Sequence, residues 1–401
     1  MFHLKESVVK SKSLFVNVMS QLFDPVNASY SSLVRVLAAT SLRTHAFTVK
    51  LGGKYEVLKV SKRVTFAQVV ALLAVLLHLI LALGWVKINW SKTKSWQLIL
   101  VSSFLVIFIG TAAGLFVLGL IREEVVFLLN MAELLERTYL PKGSHRYVRR
   151  YFIVIWILAI ITMTINPAAV CFSAFAKPCT PPAFISMALV RCAMWVEEEP
   201  GDNMLKGILS IMTGYMAAII ANVAVFGFII LLLYPVEVQL LVTNWITRKL
   251  ESETFKPKIL LQYRILQLFS RLHNNVWIDP IISIQIGGIS LVESTSLYVL
   301  ITSRDQVTLS IVGMFAIITI DCVIVLLCFI KILSYPFTKS VDLLELARRG
   351  KSNKMSRWED KFLKSCTPLK VGMGNGAFFD RLTSLVISKW STDNLITFLF
   401  M

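Results

Sequence analysis

Apolar residues gather in long runs parted by short polar stretches, and seven runs approach the ~20 helical residues needed to cross ~30 Å of hydrocarbon. Their limits are 64–86, 96–121, 152–175, 208–234, 280–301, 307–333 and 378–401. The pattern predicts an all-α, polytopic membrane protein with seven transmembrane helices. The seventh run is the most polar, broken by Ser384, Ser388, Lys389, Ser391, Thr392, Asp393 and Asn394. Six spans with a peripheral last helix are therefore the alternative.

Several helices are expected to outrun the bilayer. From 208 to 245 only Glu237 is charged, and that length is roughly 57 Å of helix, nearly twice the hydrocarbon thickness. The excess either projects from the membrane or bends at Pro235. Residues 255–277 repeat Leu260, Leu261, Ile265, Leu268, Phe269 and Leu272 at helical spacing among Lys258, Arg264 and Arg271. Residues around 339–349 and 358–370 are also amphipathic. Packed together they make a helical anchor platform; lying separately, they rest on lipid headgroups.

Composition agrees with a membrane protein: 56% of residues are hydrophobic, 16% are charged, and mean hydropathy is +0.69. The opening Met1–Glu6 leads into alternating residues, unlike the apolar core of a signal peptide. The net charge of +17 reads as Lys and Arg retained on the cytoplasmic face, so nucleic acid is not an expected partner; membrane lipid is. Of 41 Lys and Arg, 33 lie in 1–63, 122–151, 247–277 and 331–383. This predicts an inside N-terminus, an outside C-terminus and a cytoplasmic anchor, the reverse of G-protein-coupled receptors. Asn89-Trp90-Ser91, a glycosylation sequon, falls outside, and Asn27-Ala28-Ser29 inside. The six cysteines form no CxxC pair, and no metal or cofactor is implied. Cys179 and Cys192 can form an outside disulfide. Catalytic motifs are absent from the sequence, and no inverted repeat supports a secondary transporter.

The last run carries chemistry. Ser384, Ser388, Ser391 and Thr392 share one helical face, and Lys389 and Asp393, four apart and able to pair, widen it. Copies meeting around an axis make Ser384, Ser388, Thr392, Lys389 and Asp393 pore-lining and Leu395, Ile396 and Leu399 a hydrophobic gate. An ordinary packed helix is the competing arrangement. Within spans five and six, Glu293 and Asp321 are costly carboxylates and hence functional candidates.

Residues 367–382, Thr-Pro-Leu-Lys-Val-Gly-Met-Gly-Asn-Gly-Ala-Phe-Phe-Asp-Arg-Leu, run into the final helix and resemble the end of arthropod gustatory and odorant receptors. Gly374, Phe378 and Phe379 fit that family's Gly…Phe-Phe element, and Thr392 and Phe400 fit its terminal signature. There Asp393 replaces Tyr, Thr397 replaces Leu and Leu399 replaces Gln. The resemblance implies a ligand-gated cation channel, a homo- or hetero-tetramer of related subunits in the plasma membrane of sensory dendrites. The gustatory type is preferred, with an odorant-type subunit needing a co-receptor as the alternative. It divides the chain into a cytoplasmic segment (1–63), helices one to four (64–246), helices five and six with the anchor (247–377) and the pore helix (378–401). It also implies a small-molecule pocket in the outer halves of spans two to six. Candidate ligand-binding residues at that depth are Phe104, Met163, Thr164, Phe172, Met212, Tyr215, Glu293, Tyr298, Ser310, Met314 and Phe315.

Overall fold

The structure, a computed structural model, describes residues 29–44, 46–47, 49–53, 56–60, 65–91, 95–139, 147–176, 178–179, 183–184, 186, 203–252, 257–277, 281–302, 309–349, 357–374 and 376–400. Among them six helices are long and apolar enough to cross a membrane: Gln68–Asn89, Gln97–Leu120, Arg150–Ala176, Asn203–Ser252, Ile282–Thr302 and Phe315–Arg349. The seventh run forms a shorter helix of 17 residues, Thr383–Leu399.

In chain order, α1 is Tyr30–Ser41, followed by the hairpin β1 Val49–Leu51 and β2 Leu58–Val60. Then come α2 Thr65–Asn89, α3 Ser95–Leu120, α4 Arg122–Tyr139 and α5 Arg150–Ala176. The fourth span combines α6 Asn203–Val225, a π-helical stretch Phe226–Leu233 and α7 Tyr234–Ser252. Next are α8 Pro257–Val276, α9 Ile281–Thr302 and α10 Leu309–Ile324. A π turn Val325–Phe329, the single turn α11 Ile330–Leu333 and α12 Tyr335–Arg349 continue the sixth span. The chain closes with α13 Arg357–Ser365, a hairpin of β3 Gly372–Gly374 and β4 Ala377–Phe378, and α14 Thr383–Leu399.

The fourth span runs through Pro235 without ending, 50 residues and roughly 75 Å in all. Proline lacks an N–H, so the carbonyl four residues back, Leu231, loses its helical donor. Widening to a π-helix just before Pro235 accommodates the ring, and Trp277, just past α8, donates its Nε1–H to the Leu231 carbonyl at 3.4 Å. Beyond the proline, α7 is the axis of the anchor, with α4, α8 and α12 packed around it and α13 against α8 and α12. The amphipathic segments thus pack on one another, but not wholly by the expected stripe: α8 buries Leu260, Tyr263, Leu266 and Phe269, while Leu261, Ile265 and Leu268 stay exposed.

The N-terminal segment is built into this scaffold. Helix α1 lies against α5 and the fourth span, with Trp156 Nε1 donating to the Leu33 carbonyl at 2.9 Å. Phe47 then stacks on Phe226, ring centroids 4.6 Å apart. The β1–β2 hairpin turns back to α4, where Asn130 Oδ1 accepts the Val57 N–H at 2.8 Å and its Nδ2 donates to the Leu58 carbonyl at 3.1 Å.

Buried carboxylates fasten these pieces. Glu237 accepts from Tyr30 at 2.9 Å and from Tyr151, with the Arg149 guanidinium 3.9 Å away. Glu136 accepts from Tyr147 at 2.7 Å, from Tyr234 at 3.0 Å and from the Ser31 N–H at 3.0 Å. Burial pushes the Glu136 carboxyl above its ordinary range despite those donors. Glu133 pairs with Arg35 at 2.7 Å and with Arg137. One lattice of polar groups therefore ties α1 to α4, α5 and α7. Asn89, by contrast, is buried with its amide turned back to the Trp85 carbonyl at 3.0 Å.

Candidate functional site

The last helix is positioned from both ends of its lead-in segment. Side chains of α8 and α9 hold residues 367–373 in register. Tyr263 Oη and Gln267 Nε2 each donate to the Thr367 carbonyl at 2.8 Å, and Asn274 Nδ2 donates to that of Lys370 at 2.8 Å. Asn274 Oδ1 in turn accepts the Gly372 N–H at 3.0 Å, and Ser283 Oγ donates to the Met373 carbonyl at 2.8 Å. The hairpin then needs glycine at Gly374, whose φ is 100°, and at Gly376, φ 77°; L side chains rarely adopt such angles. Phe379 is fully buried, and Phe378 packs on Phe337 with ring centroids 4.8 Å apart. Asp380 Oδ1 caps α14, accepting from the Thr383 N–H and Oγ1 and the Leu382 N–H. These donors, Thr383 Oγ1 first, hold its carboxyl below the ordinary range.

Helix α14 lies along α9. Ser391 Oγ donates to Glu293 at 2.5 Å, and Ser294 Oγ donates to the Ser391 carbonyl at 2.8 Å. The hydroxyl face splits as a result: Ser384 and Ser391 are buried against the protomer, Ser388 and Leu395 are half-buried, and Lys389, Thr392, Asp393, Ile396 and Leu399 are exposed. Among the described residues no ion pair joins Lys389 to Asp393. Phe400 lies just beyond the helix, 89% exposed.

The candidate ligand residues fall in four places. Phe104, Phe315 and Tyr298 meet in a closed apolar core with Trp85 and Phe108, the first two rings 6.1 Å apart. Met163 and Tyr215 meet the N-terminal segment: Ser41 Oγ lies 3.6 Å from the Met163 sulfur, and Tyr215 Oη donates to the Thr44 carbonyl at 2.9 Å. Thr164, Phe172 and Met212 are exposed on the outside of the bundle. Glu293 faces the last helix. The side chains of Ser310 and Met314 lie outside the described residues, as does Cys192, whereas Cys179 is disulfide-bonded. Sequence reasoning missed the Glu133, Glu136 and Glu237 lattice, whose only signal was one lone charge in the long apolar run of span four.

No protein-family model matches the chain, and no curated sequence is a detectable relative. Solved structures do match. The insect olfactory receptor OR5 from Machilis hrabei superposes with a TM-score of 0.60 at 11% identity, over 96% of this chain and 99% of that one. The chain has the fold of an insect olfactory receptor. The same receptor in complex with eugenol matches with a TM-score of 0.58 at 13% identity, over 91% of this chain and 97% of the other. The likeness thus extends over nearly the whole length of both chains.

Proposed function

We propose that this chain is a subunit of a chemosensory, ligand-gated cation channel, of gustatory type, in which four copies of α14 surround the pore. The observation that carries the reading is the exposed strip of that helix. Leu385, Lys389, Thr392, Ile396 and Leu399 follow one another at spacings of four, three, four and three, the seam of helices that pack side by side. A helix bearing Lys389 and Asp393 on its open side is a poor neighbour for acyl chains and a good one for water. Ile396 and Leu399 then form the dry constriction, and Asp393 attracts cations beside it.

The ligand is a small molecule, a reading supported by the eugenol complex of a receptor with this fold. It enters the outer core at Phe104, Tyr298 and Phe315, where aromatic faces supply the contact area and the Tyr298 hydroxyl direction. Gustatory type rests on Gly374, Phe378, Phe379, Thr392 and Phe400. Whole-cell recording from cells expressing the chain, under sugars, bitter compounds and volatiles, tests the proposal. Ligand-evoked current carried by sodium and potassium is expected, and Asp393→Lys is expected to reduce it tenfold or more. Uptake coupled to ions, or signalling without current, overturns the channel reading.

A further inference from the structure

Near mid-span, α5, the fourth span, α9 and the sixth span line a half-open cavity of about 180 Å³. Its walls are apolar, including Ile155, Phe228, Ile289 and Phe329, and one carboxylate, Asp321, opens into it. Phe228 and Ile229 belong to one π-helical stretch and Val325 and Phe329 to the other, so both irregular turns of the bundle border the same space. Such turns gather at functional sites because they displace the helical ladder and can shift register. None of the outer candidate residues lines this cavity.

Asp321 accepts hydrogen bonds from two neutral side chains of α5, Thr162 Oγ1 at 3.1 Å and Asn166. Among the described residues no Lys, Arg or His lies within ion-pair distance of it. A carboxylate at this depth costs several kcal/mol unless a cation or further donors meet it. The aromatic faces of Phe228 and Phe329 favour the same kind of guest, since ring faces attract ammonium groups. The volume lies below the roughly 300–1,000 Å³ of drug-sized pockets, so the guest is small.

We infer that this cavity is a second ligand site, deeper than the outer core, for a small monovalent organic cation: an amine whose ammonium meets Asp321 and whose apolar tail fills the space between the π turns. The site stands whether or not the chain conducts. Its occupant also touches the π turn Val325–Phe329, which packs against α14, so the site has a direct mechanical route to the last helix.

The test is binding of 2-phenylethylamine and of its neutral isostere 2-phenylethanol to the full chain in lipid nanodiscs, read by equilibrium binding of radiolabelled compounds. The amine is expected to bind the wild-type protein at least tenfold tighter than the alcohol, and Asp321→Asn is expected to remove that preference by weakening amine binding at least tenfold. Equal binding of amine and alcohol by the wild-type protein, which requires no variant to fold, overturns the proposal. So does an amine preference that survives in Asp321→Asn, and so does absence of binding by either compound at millimolar concentration.

Discussion

Pro235 takes one donor from the backbone of span four, and His273 of α8 and Trp277 just past it occupy the place it leaves. Trp277 bonds the freed Leu231 carbonyl, and His273 lies beside it, fully buried, with the Gln239 amide 3.5 Å from Nδ1. Burial pulls the His273 pKa down from 6.5 to about 4. The folded protein therefore holds a neutral ring that the unfolded chain protonates below pH 6.5. This contribution to stability is complete above pH 6.5 and is lost as pH falls toward 4, by roughly 3 kcal/mol in all. Melting temperatures of purified wild-type and His273→Gln protein, compared at pH 7.5 and 5, check the sign: the wild type is expected to lose more stability on acidification. A second residue-level test concerns Tyr30, whose hydroxyl donates to Glu237 and accepts the Arg149 N–H at 3.1 Å. Tyr30→Phe removes that bridge, at a cost of about 1–3 kcal/mol for the groups left unpaired. Faster protease cleavage within the N-terminal segment is the expected readout.

At the scale of elements, spans are legible wherever burial is uniform, because an apolar run announces a membrane helix whatever it packs against. Six runs became such helices, and the polar seventh became the short α14. The amphipathic character of α8, α12 and α13 was legible, but not the buried face of α8, where Tyr263 and Leu266 turn inward and Leu261, Ile265 and Leu268 stay exposed. The anchor was not legible in α4, where the sequence offers no partner for Glu133 and Glu136, which turn inward to Arg35 and three hydroxyl or amide donors. Nor was it legible in α1, where the stripe mixes Ser31 and Ser41 with Leu33 and Leu37 and matters only once α5 and the fourth span enclose it. On α14, periodicity gave the hydroxyl face but not its partner: Ser391 turns to Glu293 because α9 supplies the acceptor. Close approach of α5 and α6 yields a sharper test. A Cβ at Gly214 would sit 2.7 Å from Cys171 Cβ and 3.2 Å from the Pro167 carbonyl. Gly214→Ala is expected to destabilise the pair by about 1–3 kcal/mol. Adding Cys171→Gly should recover part of the loss in a double-mutant cycle of thermal melts.

For the whole molecule, the decisive asymmetry lies between the two sides of α14. One side is fixed to α9 by Ser391, Ser294 and Glu293, and through residues 367–373 to α8, so the helix is tied to the anchor. The other side presents the strip from Leu385 to Leu399 to whatever lies beside the protomer. If a second copy lies there, a cysteine on the strip meets its symmetry mate, whereas one on the flank toward the protomer does not. Thr392→Cys and Ile396→Cys are therefore expected to give covalent dimers on mild oxidation in the membrane, above the background set by exposed Cys328. Asn394→Cys, on the half-buried flank, should add nothing to that background. In the proposed channel, ligand that widens the ring should slow cross-linking at Ile396, a member of the proposed constriction, more than at Thr392. Cross-linking that is equal at all three positions, or absent from all, would mean that the strip faces lipid.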